Sequence, residues 1–489
     1  MDTITVTSPA NGKTIGQVEA HSYDDTVNAF DKARAAQKKW AKVSPAERKK
    51  IFLKYHDLVL DRQGALMDII QDESGKCRRD AFEEIMDAAV TARHYAYRAG
   101  TLLKEHRAKP LMPVVQSVSV QHAPVGVVGV IAPWNYPLVL AISDAVVALL
   151  AGNAVVLKPD SQTPFTALMV ADILASAGLP DGLLQVVTGR GAVVGKAIVE
   201  NADYVMFTGS TATGRMLATQ AAQRLTGFSG ELGGKNPMII AKDAPIDRLA
   251  EGTARACFSN AGQLCISIER IYVDDAIADL FIDRFVSYVK GMRVGDTHDW
   301  TVDMGTLISP EHLERVDGFV QDATSKGARV LTGGERLGGC MYAPTVLIDV
   351  PSSANLYRDE VFGPVVYIER VSSEEEAVAK ANGTDYGLNC SIWASEATGR
   401  RIAAQIEAGT VNINEGYGTA WSTLDAPMGG WKQSGVGRRH ADHGLLKYTE
   451  ARTVAVQRFV PLMGPGSWDR ETVASGATVA LKVLKRVLR

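Results

Sequence analysis

Gly126-Val127-Val128-Gly129-Val130-Ile131 opens a part of the chain, extending to about Arg224, in which short β-rich runs alternate with helix-length segments. The later β-rich runs cover residues 154–157, 184–187 and 204–207, and the helix-length segments include 138–150 and 165–177. Near-continuous apolar strands that alternate with helices are typical of a parallel, doubly wound sheet buried on both faces. The sequence therefore predicts the α/β fold class, with a doubly wound parallel sheet in this region.

Polar groups follow three of these predicted strands. Ligands of a doubly wound sheet bind beyond the carboxyl ends of its strands. Asn135, Lys158 and the pair Gly209-Ser210 fall at such ends. We therefore expect these groups to lie along one rim of the sheet.

A second series of strands and helices follows the first. Its strands are predicted at residues 236–240, 270–273, 362–366 and 409–413, which indicates a second α/β lobe. Upstream of both series, residues 111–123 alternate polar residues with Val114, Val115, Val118 and Val120. That alternation suits an exposed hairpin.

Length and composition exclude several classes of protein. A chain of 489 residues is too long for one ordinary core, and 46% hydrophobic with 22% charged residues is typical of a globular enzyme. A net charge of −3 gives no reason to expect a nucleic-acid partner. No signal peptide or apolar run of membrane-spanning length is visible, so a cytoplasmic protein is expected. The cysteines form no Cys-x-x-Cys pair and no metal-ligand cluster, which predicts free thiols and no metal site: Cys77, Cys257, Cys265, Cys340 and Cys390.

Two short motifs carry the chemistry. Gly230-Glu231-Leu232-Gly233-Gly234-Lys235-Asn236-Pro237 offers a carboxylate among glycines, and Phe258-Ser259-Asn260-Ala261-Gly262-Gln263-Leu264-Cys265 ends on a cysteine. A thiolate can hold an acyl group, and a carboxylate base can activate the water that releases it. Together they predict covalent catalysis.

In this order and at this separation the two motifs resemble those of the aldehyde dehydrogenase superfamily, and further matching motifs run from about Pro133 to Tyr448. The resemblance implies NAD(P)-dependent oxidation of an aldehyde to a carboxylic acid by a homo-oligomer, either a dimer or a tetramer. It also implies a small β oligomerisation arm beside the two lobes. The predicted domains are a dinucleotide-binding domain (1–105 and 125–232), a catalytic domain (233–432), the arm (106–124 and 433–460) and a C-terminal extension (461–489).

The resemblance assigns three catalytic roles. Cys265 matches the nucleophile that forms a thiohemiacetal and then a thioester. Glu231 matches the general base that activates the hydrolytic water. Asn135, within Pro133-Trp134-Asn135-Tyr136-Pro137, resembles the donor that holds the oxyanion together with the backbone N–H of Cys265.

The same resemblance predicts a dinucleotide site. Lys158 matches the lysine that binds the adenosine ribose, and Ser161 lies three residues beyond it. Gly209, Ser210 and Gly214 open a helix after a strand, where N–H groups face a pyrophosphate. This run is not the Gly-x-Gly-x-x-Gly fingerprint. The remaining residues assigned to the cofactor, the last two of them to the nicotinamide ribose and ring, are Trp134, Leu232, Glu360 and Phe362.

Two features bear on the substrate in opposite ways. Residues 158–164 and 265–270 are similar to those of actinobacterial proteins named as a second succinate-semialdehyde dehydrogenase, so succinate semialdehyde is the best specific prediction. Other dehydrogenases for this aldehyde carry two arginines where this chain has Ser143 and Ser259. The usual carboxylate clamp is therefore missing, and a broad-range aliphatic or aromatic aldehyde dehydrogenase is the alternative. Ser267 also stands where that subgroup has a second cysteine for a redox disulfide.

NAD-preferring relatives place a glutamate at the position of Ser161, so NADP is predicted over NAD. A CoA-acylating relative does not need Glu231, and a catalytically silent one would lack Cys265, so both are disfavoured. In the tail, Leu481, Leu484 and Leu488 form one helical stripe beside basic residues, namely Lys482, Lys485, Arg486 and Arg489. We expect a terminal helix that packs through this stripe within the oligomer of the protein. Contact of the helix with an anionic membrane surface is the alternative.

Overall fold

The computed structural model describes residues 2–112, 115–459, 461–462 and 464–487. Its strands in chain order are β1 Thr3–Thr7, β2 Thr14–Glu19, β3 His106–Ala108, β4 Gln116–Pro124, β5 Val127–Ile131, β6 Ala154–Lys158, β7 Leu184–Val186, β8 Tyr204–Thr208, β9 Gly227–Glu231, β10 Asn236–Ile240, β11 Ile268–Asp274, β12 Arg329–Thr332, β13 Arg336–Gly338, β14 Met341–Tyr342, β15 Thr345–Ile348, β16 Val365–Val371, β17 Tyr386–Gly387, β18 Asn389–Trp393, β19 Thr410–Ile413, β20 Trp431–Lys432, β21 Gly435–Val436 and β22 Thr449–Gln457.

The α-helices in chain order are α1 Tyr23–Trp40, α2 Pro45–Asp61, α3 Gln63–Ser74, α4 Arg78–Leu102, α5 Val139–Leu150, α6 Pro164–Ala177, α7 Lys196–Asn201, α8 Thr211–Gln223, α9 Ile246–Phe258, α10 Ala278–Lys290, α11 Pro310–Ser325, α12 Asn355–Arg358, α13 Glu374–Asn382, α14 Glu396–Ala403, α15 Gly418–Ser422, α16 Ala441–Leu446 and α17 Arg470–Val487. Among the described residues, no helix is both long enough and apolar enough to cross a membrane.

The first predicted sheet is confirmed. Its strand order is β21-β9-β8-β5-β6-β7, and β5 to β9 run parallel while β21 pairs antiparallel with β9. Every residue of β5 and β6 is buried, as a sheet covered on both faces requires. Ile131 lies opposite both Lys158 and Phe207, so these strands end at one rim.

The second sheet has the order β12-β15-β16-β11-β10-β18-β19 and is parallel apart from β12. One predicted strand is partly wrong. Residues 362–366 were expected to be extended, but β16 begins at Val365. Phe362 has a left-handed backbone (φ 58°), and Pro364 has no N–H to give to a neighbouring strand. Phe362 therefore lies in the loop that precedes β16.

By its contacts the chain divides into two units. The first contains residues 2–102 and 124–448, and it holds both large sheets. Residues 433–448, which the sequence analysis assigned to the arm, belong to this first unit because Gly435 pairs with Glu231 and Tyr448 is fully buried. The predicted boundary at residues 232 and 233 falls between β9 and β10, which belong to different sheets. That these sheets form separate cofactor and catalytic domains stays a prediction.

The second unit contains residues 103–123 and the described residues after Tyr448. Its sheet has the order β22-β4-β3. The predicted 111–123 hairpin is therefore formed instead by β3 and β4, and the third strand of the sheet, β22, begins at Thr449. Val114 lies outside the described residues. The predicted C-terminal helix is α17, on which Leu481 is exposed, and Leu488 and Arg489 also lie outside the described residues.

Candidate active site

Cys265 lies where two cavities share a wall. The glycine-rich cavity, of about 250 Å³, is lined by Pro133, Trp134, Asn135, Leu140, Thr208, Gly209, Ser210, Glu231, Leu232, Gly233, Cys265, His312, Arg315, Glu360 and Phe362. The aromatic cavity, of about 60 Å³, has a lining that includes Asp87, Tyr95, Tyr136, Ser143, Tyr417, Trp421 and Arg439. Asn135, Leu140 and Cys265 line both cavities. The predicted nucleophile is therefore accessible from two sides.

A tight turn after α9 places Cys265 at this wall. Asn260 and Ala261 have positive φ angles of 50° and 53°, and Asn260 Nδ2 donates to the Gln263 carbonyl at 3.1 Å. Gly262 is required here, because a Cβ would lie 2.1 Å from the Gly363 carbonyl oxygen. The Cys265 thiol is partly buried, and burial together with the nearby carboxylates raises its pKa to about 12. The thiol is therefore protonated at neutral pH in this state.

Glu231 is the last residue of β9 and lines the glycine-rich cavity with Cys265. Burial raises the pKa of its carboxyl to about 7, and the opposing charge of Arg439 limits that rise. A carboxylate with a pKa near neutrality can accept a proton and release it again at physiological pH. Its environment thus suits a general base.

Asn135 is buried beyond the end of β5. Its backbone carbonyl accepts hydrogen bonds from Lys76 Nζ at 2.8 Å and from Asn260 Nδ2 at 2.9 Å. Its side-chain Nδ2 donates to the Gln263 carbonyl at 2.9 Å, next to the Cys265 turn. The amide group is therefore held rigidly beside the sulfur.

Most of the residues predicted to bind the cofactor line the glycine-rich cavity: Trp134, Gly209, Ser210, Leu232, Glu360 and Phe362. Ser210 caps α8 by accepting a hydrogen bond from the Thr213 N–H, so the N-terminus of this helix faces the cavity. A Cβ at Gly233 would lie 2.5 Å from Glu360 Oε2. A helix N-terminus next to close-packed backbone and aromatic rings fits a dinucleotide, since its N–H groups suit phosphate and the rings suit nicotinamide.

Three predicted residues do not line this cavity. Gly214 lies within α8, where a Cβ would be 2.3 Å from Leu232 Cδ2, so it permits close packing. Lys158 and Ser161 lie at the end of β6 on the same rim of the sheet. Lys158 is buried, which lowers its pKa, and its Nζ donates to the Pro159 carbonyl at 2.9 Å. Ser161 Oγ donates to the Gly189 carbonyl at 3.1 Å.

Sequence reasoning missed several residues that the fold brings to these cavities. His312 stacks edge-on to Trp134 with ring centroids 5.5 Å apart, and Arg315 lines the same cavity. Arg439 is in the aromatic cavity, where its Nη2 lies 2.5 Å from Asp144 Oδ2. No local pattern distinguishes these residues from other charged residues in the chain. The Gly437-Arg438-Arg439 run was the nearest signal for Arg439.

The two serines at the positions of the arginine pair have different neighbours. Ser143 lines the aromatic cavity and donates to Asp87 Oδ1 at 2.8 Å, whereas Ser259 Oγ donates to the Arg255 carbonyl at 2.8 Å. Burial raises the pKa of Asp87 to about 6, so it is mostly ionised at pH 7. The negative charge of Asp87 in this cavity would therefore repel the carboxylate of a substrate. Within the described ranges, no group of three or more His, Cys, Asp or Glu side chains could hold a metal ion.

Comparisons with known proteins point to one family. The profile of the Aldehyde dehydrogenase family matches residues 1–454. A Mycobacterium tuberculosis protein, provisionally named succinate-semialdehyde dehydrogenase (NADP+) 2, is 52% identical over 95% of this chain and 90% of its own length. The Escherichia coli succinate-semialdehyde dehydrogenase (NADP+) is 36% identical over 93% of this chain and 94% of its own length.

A solved structure gives the same result for the fold. The crystal structure of an E. coli NADP-dependent enzyme superposes with a TM-score of 0.90 at 35% identity, covering 93% of this chain and 95% of the other. The match to the family profile, residues 1–454, spans both the cysteine and the glutamate motifs. This chain belongs to the aldehyde dehydrogenase family.

Proposed function

We propose that this protein oxidises an aldehyde to a carboxylic acid with NADP+, through a thiohemiacetal and a thioester on Cys265. The observation that carries the proposal is that Cys265, Glu231 and Asn135 line one glycine-rich cavity together with a helix N-terminus. A nucleophile, a base near neutral pKa and a fixed amide donor are the groups that acyl chemistry requires.

The first half of the proposed reaction acylates the enzyme. Glu231, the neighbouring carboxylate, takes up the proton of the Cys265 thiol. Cys265 Sγ then attacks the carbonyl carbon of the aldehyde. The alkoxide that forms is held by Asn135 Nδ2, whose second amide hydrogen is not needed for the bond to Gln263. An oxidised nicotinamide ring supplies a hydride acceptor and a positive charge that favours the thiolate. Loss of hydride from the thiohemiacetal carbon leaves a thioester.

The second half releases the product. After Glu231 has released its first proton to solvent, it takes a proton from water, and the hydroxide attacks the thioester carbon. The carbon–sulfur bond then breaks, which frees the carboxylic acid and leaves Cys265 on the enzyme as a thiolate. A CoA-acylating enzyme would transfer the acyl group to a thiol instead and would not need this carboxylate. Following reduced nicotinamide by absorbance, with and without CoA, tests the proposal: we expect turnover without CoA, and a strict need for CoA would contradict it.

We propose NADP as the preferred cofactor, with NAD as the alternative. The names of the M. tuberculosis and E. coli relatives both specify NADP+, which supports this preference. At the end of β6, Ser161 is uncharged and can donate to a 2′-phosphate, while Lys158 adds a cation. The negative charge of Asp160 offsets part of the positive charge of Lys158 and so opposes this preference. One carboxylate oxygen of Asp160, Oδ1, is already engaged, because it accepts a hydrogen bond from the Gln162 N–H.

The Ser161→Glu variant tests this assignment. A carboxylate at this position would repel a 2′-phosphate and accept hydrogen bonds from ribose hydroxyls. We expect the ratio of kcat/KM for NADP to that for NAD to fall by at least about tenfold, or roughly 1.4 kcal/mol. Ser161→Gln is the matched control, since a glutamine side chain has nearly the same shape as glutamate but carries no charge. A wild type that already favours NAD, or a ratio unchanged by glutamate, would rule out Ser161 as the selector.

For the aldehyde, two candidates are supported by different observations. The names of the relatives favour succinate semialdehyde. The aromatic cavity favours neutral aldehydes, because Ser143 carries no charge and donates its hydroxyl to the carboxylate of Asp87. Arg439 lines the cavity as well, but it is engaged by Asp144.

Comparing succinic semialdehyde with butanal, a neutral aldehyde of the same chain length, separates the two candidates. Without the arginine pair the carboxylate loses two charge-assisted contacts, each worth about 1.5–3 kcal/mol, so we expect a weak KM for succinic semialdehyde and appreciable activity on butanal. Asp87→Asn keeps the shape and removes a negative charge, so it should lower the KM for succinic semialdehyde about fivefold, or roughly 1 kcal/mol. Its KM for butanal should not change. A low-micromolar KM of the wild type, with strong rejection of butanal, would mean that another cation, such as Arg439, replaces the clamp.

We also propose a cytoplasmic homo-oligomer assembled through the β22-β4-β3 sheet. The exposed apolar side chains of α17 (Val479, Leu481 and Val483) support burial of this helix in the oligomer. Light scattering after size exclusion should give a dimer or tetramer. A monomer that cosediments with anionic vesicles would favour the membrane alternative for this helix.

A further inference from the structure

Phe362 occupies an unusual backbone conformation at the wall of the glycine-rich cavity. Its φ of 58° is in the left-handed region, which residues with large side chains rarely adopt without support. Its ring lies edge-on to Trp134 with centroids 5.5 Å apart. The surrounding structure must therefore hold this backbone in place.

The support on the amide side is a buried carboxylate. Glu269, near the start of β11, accepts hydrogen bonds through Oε1 from the N–H groups of Val361 at 3.0 Å and Phe362 at 2.9 Å. Its Oε2 lies 2.6 Å from Lys235 Nζ. The side chains of Lys235 and Glu269 are only 0% and 4% exposed. A carboxylate buried this deeply needs both a counterion and hydrogen-bond donors, and the loop supplies the donors.

The support on the carbonyl side is a buried imidazole. His312 Nε2 lies 2.7 Å from the Phe362 carbonyl oxygen. Burial lowers the pKa of His312 to about 4, so the ring is neutral at pH 7 and donates its Nε2 hydrogen to this oxygen. Both peptide groups of Phe362 are thus fixed by side chains from elements distant in the sequence.

The neighbouring Glu360 is held to the same region. Its Oε1 accepts a hydrogen bond from the Gly234 N–H at 2.8 Å, one residue before Lys235. Burial, and then the charge of Glu269, raise the pKa of Glu360 to about 8. The segment from Glu360 to Phe362 is therefore hydrogen-bonded to Gly234 and to Glu269.

We propose that Glu269, charge-balanced by Lys235, is a positioning residue that holds Glu360 and Phe362 in place for the dinucleotide. The inference rests on the proposed function, in which these two residues contact the nicotinamide half of the cofactor. Glu269 does not line the cavity itself. It acts through the two amides that it binds, so the segment is preorganised before the cofactor arrives.

A pair of double variants isolates the acceptor from the charge. Lys235→Met with Glu269→Gln removes both charges but keeps an oxygen that can accept from the Phe362 N–H. Lys235→Met with Glu269→Met removes the same charges and the acceptor. The readouts are hydrogen exchange of residues 360–364 without cofactor, the Kd for NADP+ by protein fluorescence, and the KM values for NADP+ and aldehyde.

We expect the methionine pair to lose exchange protection in this segment and to bind NADP+ at least about tenfold more weakly than the glutamine pair. The KM for the aldehyde should stay close in the two variants, because the aromatic cavity is not touched. Equal protection and equal Kd values would overturn the inference and leave the pair a structural ion pair only. If the methionine pair does not fold, Lys235→Met with Glu269→Leu, which also removes both charges and the acceptor, is measured in its place. It should lose exchange protection and bind NADP+ more weakly than the glutamine pair, and equal protection with equal Kd values would overturn the proposal.

These results are separate from the proposed function. If the wild type binds NADP+ but oxidises no aldehyde, while the two double variants show the expected exchange difference, the function is refuted and the positioning role stays intact. A wild type that oxidises aldehydes, with the two variants indistinguishable, would do the reverse.

Discussion

The Cys265→Ala variant is expected to lose aldehyde oxidation by at least about a thousandfold while binding NADP+ with nearly unchanged affinity. The thiol is the proposed covalent nucleophile, and the other four cysteines are buried. The part of the glycine-rich cavity proposed to bind the dinucleotide is formed by other elements, including the N-terminus of α8 and the Glu360–Phe362 loop. Removing one sulfur atom leaves those elements in place.

The measurement is reduced-cofactor formation under saturating aldehyde, together with a fluorescence titration with NADP+. Cys340→Ala is the matched control, because Cys340 is a free thiol as well but is buried and lines neither cavity. The control should keep wild-type turnover. Comparable turnover in Cys265→Ala would refute the covalent mechanism, and loss of NADP+ binding would mean that the thiol supports the cofactor site itself.

The first sheet could be predicted well because each of its strands is marked by a pattern of neighbouring residues. Runs such as Val127–Ile131 and Ala154–Lys158 are apolar along their whole length, and a strand buried on both faces requires that pattern. The two motifs that predict a nucleophile and a base are also local, so Cys265 and Glu231 could be proposed for these roles without knowing the fold. The structure brings both residues to one cavity.

The parts that could not be predicted depend on contacts between distant residues. Glu269 is separated by more than ninety positions from the amides of Val361 and Phe362 that it binds. Apolar residues around Pro364 suggested a strand, whereas those contacts and the left-handed φ of Phe362 make a loop. The short strand β21 has two residues and no detectable period, so its pairing with β9, and with it the placement of residues 433–448, was invisible in the sequence.

The Glu231→Gln variant should separate the two halves of the reaction. Glutamine has nearly the same shape but cannot accept a proton, so hydrolysis of the thioester should slow by about 10²–10⁴-fold. Formation of the first equivalent of reduced cofactor should survive, because a single deprotonation of Cys265 can be met by solvent on the time scale of a burst. Stopped-flow absorbance should then show a burst of about one equivalent per active site, followed by little turnover.

Mass spectrometry of the quenched burst should locate the acyl group on Cys265. Glu231→Asp is the matched control: it keeps the carboxylate but moves it back by one methylene, so it should retain more steady-state activity than glutamine. A steady-state rate close to wild type in Glu231→Gln would show that another group activates the water. Loss of the burst as well would mean that solvent cannot replace Glu231 as the acceptor of the Cys265 proton.

The pH dependence gives an independent check on the same residue. Burial raises the pKa of Glu231 to about 7, and only the ionised carboxylate can accept a proton from water. Deacylation by the wild type should therefore increase as the pH rises through about 7 and then level off. Arg439→Met removes the cation that opposes the effect of burial, so it should raise the pKa of Glu231 and move this limb to higher pH. In Glu231→Gln the limb should disappear, and a limb that persists unchanged would belong to a different group.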